Sequence, residues 1–377
     1  MVELLLAKGA NVQAADFDGR TALQLAAQAG FRSVAQTLLD HGASVDATDH
    51  FGNFPLLLAA NTGSKPLVEL LLAHGAKINA ANAGTTALAT AVRRGDQSMY
   101  QFLLTKGASV NTTDSDGRTP LSYAADNAQP VLVKPLLEAQ ANPNAGSLDL
   151  PLAMAAWQGN AECIKLLLAH GADPNTNSKV ALDIHLPYGP PVTHATPLFL
   201  AVYRHSPQAV KALIAGNADP NTLNPYSDPL VFDALGDAPT LQALLEGGAD
   251  PNRLHAGGGT ALDHALFNRQ NRIELIGLLL AHGADPNLAS KDGWRPLDLA
   301  ARFGDVAASQ LLLDKGAQVN ALGGGGGLTP LQVAIEDDQA EEVKFLLEHG
   351  ADPNARSKAG HTPLEYASSS RPAFSHN

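Results

Sequence analysis

Five histidines occupy the same place in a repeated pattern, each just before a glycine that follows a leucine-rich run: His41, His74, His170, His282 and His349. A zinc site would need their ring nitrogens about 2.0–2.1 Å from one ion. If the runs form stacked helices, neighbouring copies lie about 8–10 Å apart, too far to share an ion. The position favours an imidazole that bonds the last carbonyl groups of a helix and stabilises its negative end. We therefore predict no metal site at these histidines.

The single cysteine, Cys163, excludes an intrachain disulfide and any cysteine-based zinc or iron–sulfur site. A catalytic thiolate needs a neighbouring base and a group that stabilises an anion. Nothing in the sequence around this predicted helix indicates either one. We expect a buried, structural cysteine.

Other candidate chemistry is weak. The glycine runs Gly257–Gly259 and Gly323–Gly327 lack the Lys-Ser/Thr ending and the preceding strand of a phosphate loop, so they are interpreted as flexible fingertips. Asp183, His185 and His194 could be metal ligands, but their spacing matches no strong motif and favours a solvated loop. Phosphate, nucleotide and catalytic-triad motifs are otherwise absent. The sequence therefore predicts no cofactor and no enzyme.

A repeat of about 33 residues positions all of these groups. Leucine-rich runs end in Gly-Ala, Gln-Ala or Asn-Ala at intervals of 31 to 35 residues, with one interval of 46. A Thr-Pro-Leu-like motif recurs in phase with them. Self-similarity at this period indicates a stacked array of repeats, which replaces the two or three globular domains that 377 residues would otherwise suggest.

One unit, 289–321, shows the local logic. Asp292-Gly293 is typical of a turn, and Pro296 suits the first position of a helix. Gly304-Asp305 ends the short first helix and caps the second. Gly316 lies where a helix ends in the left-handed conformation. Each unit is thus predicted to be a short helix, a turn and a longer helix, and threonine is placed to cap the first helix at 21, 86, 119, 196, 260, 329 and 362.

These units resemble the ankyrin-repeat family. The matching motifs are Asp16-Phe17-Asp18-Gly19-Arg20-Thr21-Ala22-Leu23, Ala26-Ala27 and Gly283-Ala284-Asp285-Pro286-Asn287, the last of which recurs at 171–175 and 350–354. The resemblance covers almost the whole chain. It implies an all-α repeat solenoid of stacked helix–turn–helix units with β-hairpin finger loops. It also implies binding of other proteins rather than catalysis.

We expect a single repeat domain that is irregular in its centre. Pro135 should kink a second helix, and Gln140 replaces an exit glycine. Two regular blocks joined by a distorted hinge and plain drift along an unbroken superhelix both remain open. The predicted parts are a half repeat at 1–15, a regular block at 16–125, an irregular block at 126–253 with an insertion at 177–195, a regular block at 254–355, and a half repeat and tail at 356–377.

The Val2–Leu6 helix lacks a cap, since the chain starts within a repeat. We infer either that Met1 opens a fragment of a longer protein or that another segment covers this end. A second copy could also cover it, which would make the chain a self-assembling array. Otherwise we expect a monomer.

Composition narrows the function. The net charge of −12 argues against a general nucleic-acid binder, and the 45% of apolar residues argues against disorder. No apolar run approaches 18 residues, so no membrane-spanning segment is expected. One cysteine and no evident signal peptide favour the cytoplasm.

The predicted binding residues are aromatic and arginine side chains at positions with no folding duty, at the fingertips and after the Ala-Ala pair. These residue types dominate binding hot spots. They predict a partner site on the concave face and the finger loops, although some of the rings could instead pack against a neighbouring repeat. The residues are Phe17, Arg20, Phe51, Arg93, Arg94, Arg118, Trp157, Tyr188, Tyr203, Arg204, Tyr226, Phe267, Arg269, Trp294, Arg302 and Phe303.

The leading hypothesis is a non-enzymatic scaffold that binds a protein or peptide, with the arginines favouring a partner that bears carboxylates. A second hypothesis is the recognition segment of a larger enzyme or effector. Self-assembly is a third, and nucleic-acid binding is the least favoured.

Overall fold

The structure is a computed structural model that describes residues 1–179 and 192–369. Its secondary structure is almost entirely helical, with short first helices and second helices of mostly nine residues in alternation. In chain order the helices are α1 (Val2–Ala7), α2 (Ala22–Gln28), α3 (Arg32–Asp40), α4 (Pro55–Thr62), α5 (Lys65–Ala73), α6 (Ala87–Arg93), α7 (Gln97–Thr105), α8 (Pro120–Asp126), α9 (Pro130–Glu138), α10 (Pro151–Trp157), α11 (Ala161–Ala169), α12 (Pro197–Tyr203), α13 (Pro207–Ala215), α14 (Leu230–Ala234), α15 (Ala238–Glu246), α16 (Ala261–Leu266), α17 (Arg272–Ala281), α18 (Pro296–Phe303), α19 (Val306–Asp314), α20 (Gly324–Gly327), α21 (Pro330–Glu336), α22 (Ala340–Glu348) and α23 (Pro363–Ser369).

The helices pack within two compact units, Met1–Leu200 and Ala201–Asn377. In the first unit, the first helices α2, α4, α6, α8 and α10 contact one another in succession, and the second helices form a parallel row behind them. In the second unit, α14, α16, α18, α21 and α23 form the inner row, while α13, α15, α17, α19 and α22 form the outer row. Each unit is a two-layer stack, as the repeat pattern predicts. No helix among the described residues is long and apolar enough to cross a bilayer.

Two short antiparallel strand pairs lie between helices. β1 (Ala81–Asn82) pairs with β2 (Thr85–Thr86) in a finger loop. β3 (Ser178–Lys179) pairs with β4 (His194–Ala195) and closes the base of the predicted insertion. His194 therefore lies on a strand, whereas Asp183, His185 and Tyr188 lie outside the described residues. These two antiparallel pairs agree with the predicted β-hairpin finger loops.

The predicted caps are confirmed at all seven threonines. The Thr260 hydroxyl, for example, accepts a hydrogen bond from the Asp263 amide at 3.1 Å. The same contact is made in the other six copies. Each cap satisfies an amide that has no partner within its own helix, so it fixes where the first helix begins.

At the helix exits, glycine is favoured because the backbone is left-handed, not because a side chain would clash with a neighbour. The glycines before the exit alanines have φ values near +90°, as at Gly283 (+88°) and Gly316 (+90°), and an added Cβ at either one would meet no atom within 4 Å. Gln140 and Asn217 occupy the same place with φ values of +63° and +68°. Their cost is therefore conformational, and it is larger for Gln140 because asparagine tolerates this region better.

An amide ladder joins successive repeats at their exits. The side-chain Nδ2 of Asn287 donates to the Gly316 carbonyl at 2.9 Å, and its Oδ1 accepts from the Gln318 amide at 2.8 Å. Asn252 and Asn320 make the same pair of hydrogen bonds to their next repeats. Each of these three asparagines is thus a two-way link between its repeat and the next.

Helix α9 runs unbroken from Pro130 to Glu138 through Pro135, where the sequence predicts a kink. Proline has no amide to donate to the Val131 carbonyl one turn earlier. The hydroxyl of Tyr100 in α7 donates to that carbonyl instead, at 2.6 Å. The helix continues because a neighbouring repeat supplies the missing donor.

Two other irregular segments agree with expectation. The first helix of the degraded repeat, α14, has only five residues, and burial raises the pKa of Asp233 within it to about 6. At the amino end, α1 has no side-chain cap and no buried residue, so Leu4 and Leu5 are exposed.

Candidate functional site

The repeated histidines bond the helix ends. In His41, His74, His170 and His349 the ring Nδ1 lies 2.8–3.0 Å from the carbonyl oxygen four residues earlier, so it donates to that carbonyl. The predicted structural role is confirmed for these four residues. Within residues 1–179 and 192–369 no group of three or more metal-ligating side chains converges on one point.

Cys163 is fully buried in α11, as predicted. Burial raises the pKa of its thiol to about 12. The thiolate is therefore not formed near neutral pH, and the side chain packs as a small apolar group.

The glycine run before α21 differs from the expected flexible fingertip. Gly324–Gly327 forms a single helical turn, and the amide of Gly324 donates to the Asp298 carboxylate at 2.9 Å. Because the carboxylate binds that amide, the run is anchored to the first helix of the preceding repeat.

A cleft of about 370 Å³ opens on the second unit, between the finger loops and first helices of two consecutive repeats. One repeat contributes finger residues 255–259 and α16, and the next contributes finger residues 290–294 and α18. We call this site the finger cleft. It is lined by His255, Gly257, Gly258, Gly259, Asp263, His264, Phe267, Ser290, Asp292, Trp294, Leu299 and Arg302.

The wall of the finger cleft contains three residues predicted from the sequence, Phe267, Trp294 and Arg302, and a fourth, Phe303, packs against Phe267. Phe267 is 62% exposed and meets the partly exposed Phe303 edge to face, with ring centroids 5.2 Å apart. The Arg302 guanidinium lies 5.3 Å from the centre of the Trp294 ring. Arg302 also forms an ion pair with Asp337 at 3.7 Å. The wall therefore offers aromatic surface beside a cation that is already engaged.

Two histidines missed by the sequence analysis lie at the floor of the cleft, with ring centroids 5.0 Å apart. His255 Nδ1 accepts from the Gly257 amide at 2.9 Å, and its Nε2 donates to Asp228 at 3.2 Å. His264 Nδ1 donates to the Thr260 carbonyl at 3.1 Å. Burial lowers the pKa of His264, so the neutral form of this ring is favoured at neutral pH. Its Nε2 is consequently a hydrogen-bond acceptor.

Asp263, also missed, is the buried acid of the cleft and only 5% exposed. Its Oδ2 accepts from the Thr260 amide at 2.9 Å, whereas no described residue donates a hydrogen bond to its buried Oδ1. Burial raises the pKa of this carboxyl to about 6. At the same place in their repeats, Gln24 and Gln332 present a neutral amide that donates to the next finger. Asp298 and Glu365 occupy the same place in other repeats, so a carboxylate there does not by itself point to this site.

The predicted residues of the first unit are not among those that line the finger cleft. Phe17 and Phe51 are exposed on fingers, and Arg93 and Arg94 are exposed at the end of α6. Arg20 is engaged locally and forms ion pairs with the two acids of its own finger at 2.9 Å each.

Arg118 differs from the expected free cation. Its guanidinium pairs with the buried Asp149 at 2.5 Å and with Asp126 at 3.6 Å. It also lies 5.1 Å from the centre of the Tyr123 ring. These contacts make Arg118 part of the framework that joins two repeats.

The remaining predicted residues are mixed in exposure. Trp157, Tyr203 and Tyr226 are half-buried, while Arg204 and Arg269 are exposed. Tyr188 lies outside the described residues. The structure thus gathers Phe267, Trp294, Arg302 and Phe303 at one site.

Comparison with known families settles the fold. The family model described as "Ankyrin repeats (3 copies)" matches residues 1–49, 44–114, 82–147, 106–178, 148–224 and 230–323, and the model described as "Ankyrin repeats (many copies)" matches residues 312–367. The chain belongs to the ankyrin-repeat family. The all-α repeat fold predicted from its motifs is therefore confirmed. Ankyrin repeats are in general protein–protein interaction modules.

Individual relatives share only part of this ankyrin-repeat chain. Rabankyrin-5 of Mus musculus is 35% identical over 118 residues, which are 28% of this chain and 10% of that protein. The 2-5A-dependent ribonuclease of Mus musculus is 46% identical over 65 residues, which are 17% of this chain and 9% of that protein. The chain thus spans about a tenth of the length of either relative.

Among solved structures, the ankyrin repeat domain of human ASB11 is 29% identical, with a TM-score of 0.47. The match covers 57% of this chain and 90% of that domain.

Proposed function

We propose that this chain is a non-enzymatic ankyrin-repeat module that binds a partner protein through its finger loops and first helices, with the finger cleft as the main contact. The observation that carries the proposal is that Phe267, Trp294 and Arg302 line one cleft, with Phe303 packed against Phe267. Aromatic and arginine side chains at the centre of a pocket are the usual source of binding energy in protein interfaces.

The arginines favour an acidic partner less strongly than their number suggests. Arg20, Arg118 and Arg302 are neutralised by carboxylates of the chain itself. Arg94 and Arg269 are exposed, and no ion pair to either is found in the described part of the chain. They support an acidic contact outside the cleft.

The double variant Phe267→Ala/Trp294→Ala tests the proposal. The intact chain and the variant serve as paired baits, and the captured proteins are quantified by mass spectrometry. We expect one or more partners to fall at least tenfold on the variant, while thermal unfolding shows that the repeats stay folded.

Phe31→Ala is the matched control. Phe31 is as exposed as Phe267 but lies in the turn between α2 and α3, away from the fingers. Partner recovery should be unchanged in this control. Equal recovery on the wild-type chain and on the double variant would exclude the finger cleft as the binding site.

A second candidate function is the recognition segment of a larger enzyme. The 46% identity to part of the 2-5A-dependent ribonuclease favours this candidate. The match covers only 9% of that protein, so similar repeats there form a small part of a much longer chain. Sequencing the coding region on both sides of this segment tests it. A catalytic domain in the same reading frame would support it, and stop codons directly at both boundaries would reject it.

A further inference from the structure

The lining of the finger cleft includes two side chains that can accept hydrogen bonds from a ligand. Asp263 Oδ1 is buried and has no hydrogen-bond partner among the described residues, although a buried carboxylate oxygen is normally hydrogen-bonded. His264 Nε2 is an acceptor as well, because Nδ1 of the same ring donates to Thr260. Both side chains line the cleft. A ligand that fits must therefore bring several donors to one place.

The charge of the cleft favours a cation. Asp263 and Asp292 contribute carboxyl groups, and Arg302 is the opposing cation. Asp337 pairs with Arg302 at 3.7 Å and offsets its charge. The net charge of the chain is −12. A positively charged group would be attracted to this site, whereas a carboxylate would face the buried acid.

The cleft also offers a ring on which a planar cation can stack. Phe267 lines the cleft with an exposed ring. The Arg302 guanidinium over the Trp294 ring shows that a guanidinium–ring contact already occurs in the same cleft. A guanidinium combines a flat face for stacking with five N–H donors, whereas an ammonium is a compact point charge. The volume of about 370 Å³ lies at the lower end of the roughly 300–1,000 Å³ of ligand pockets. This volume suits one long side chain better than a large cofactor.

We propose that the finger cleft binds an arginine side chain of the partner protein. The guanidinium stacks on Phe267 and donates hydrogen bonds to Asp263 Oδ1 and His264 Nε2. This inference rests on the proposed function, since it specifies the chemistry of the same site. It places a basic residue of the partner in the cleft of an otherwise acidic chain.

The test is a titration of the full chain at pH 7.5 with N-acetyl-L-arginine amide, followed by NMR at the Trp294 indole N–H. Fragments of this size bind weakly, so we expect a dissociation constant on the order of 1 mM. The citrulline amide, which has the same shape without the charge, should bind at least tenfold more weakly. The lysine amide should bind more weakly than the arginine amide, and the glutamate amide should produce no shift.

Two variants localise the effect. Asp263→Asn keeps an oxygen that can cap Thr260 but removes the charge, and Phe267→Ala removes the ring without touching the core. Each should weaken arginine binding at least fivefold. Asp314→Asn, which changes an exposed acid at the end of α19, should leave the affinity unchanged.

Equal binding of the arginine and citrulline amides, or tighter binding of the glutamate amide, would overturn the inference. The proposed function fails separately. If the arginine amide does not bind but partner capture still depends on Phe267 and Trp294, the cleft is a protein-binding site with another ligand chemistry. If capture does not depend on them, the proposed function fails as well.

Discussion

The hydroxyl of Tyr100 takes the place of an amide that Pro135 cannot supply. It donates to the Val131 carbonyl at 2.6 Å, one helical turn before the proline. Tyr100 is fully buried and belongs to the preceding repeat. One repeat therefore maintains the helix of the next, and the two residues should act as a unit when either is changed.

Tyr100→Phe should lower the free energy of unfolding by about 0.5–1.5 kcal/mol, because the partly buried Val131 carbonyl loses its hydrogen-bond donor. In a Pro135→Ala background the penalty should be smaller, since that substitution restores a backbone donor. Urea denaturation of the two single variants and the double variant gives the coupling energy. Strictly additive effects would contradict the compensation.

Gln140→Gly should raise the free energy of unfolding by about 0.5–1 kcal/mol. Gln140 has a left-handed backbone with φ +63°, which is unfavourable for a residue with a side chain, and glycine removes that cost. Part of the gain is offset because glycine also makes the unfolded chain more flexible. Asn217→Gly is the matched control at the same repeat position and should change stability less. The two variants are compared by chemical denaturation, and a destabilised Gln140→Gly variant would show that the Gln140 side chain has a role that the backbone does not reveal.

Asn287→Asp should destabilise the second unit by about 0.5–1.5 kcal/mol, since it breaks a solvent-exposed hydrogen bond. The new carboxylate keeps an acceptor for the Gln318 amide but replaces the donor to the Gly316 carbonyl with a second acceptor. Asn354→Asp is the control, because Asn354 ends the same motif and its exposed side chain makes no ladder contact in the described chain. Thermal and urea unfolding should separate the two variants, and equal losses would remove the ladder as the cause.

Glu342→Gln should stabilise the protein above neutral pH. Glu342 is fully buried, and its carboxyl group accepts a hydrogen bond from the Ser309 hydroxyl at 2.5 Å. Burial raises the pKa of this carboxyl from 4.5 to about 7. The folded state therefore holds a proton that the unfolded chain releases near pH 4.5, so the stability from this group falls as pH rises from about 4.5 to about 7.

The gain from Glu342→Gln should be roughly 1–3 kcal/mol at pH 8 and much smaller at pH 5. Urea denaturation at both pH values measures it. Glu348→Gln changes an exposed acid of the same helix and should show no such pH dependence. A gain of equal size at both pH values would contradict a buried ionisable group as its source.

Features encoded within one repeat were predictable from the sequence. The threonine caps, the exit glycines and the histidines at helix ends depend on residues a few positions apart, and the structure agrees at each of the examples above. Features that join two repeats were not predictable in the same way. The proline at 135 was visible but its donor at 100 was not, because the two are brought together only by stacking. Asp263 and His264 were missed for the same reason, since the cleft exists only where two fingers meet two helices.

The ladder also sets how the chain should respond to a mechanical pull. Asn287 links its repeat to the next with two hydrogen bonds. Asp46, at the same place in its repeat, accepts one hydrogen bond from the Lys77 amide at 3.3 Å, and its carboxylate cannot donate a second. Under tension applied along a stack, the border with one bond should part at lower force than the border with two. The identity of a single amide or acid in each repeat should thus contribute to the order in which the repeats detach.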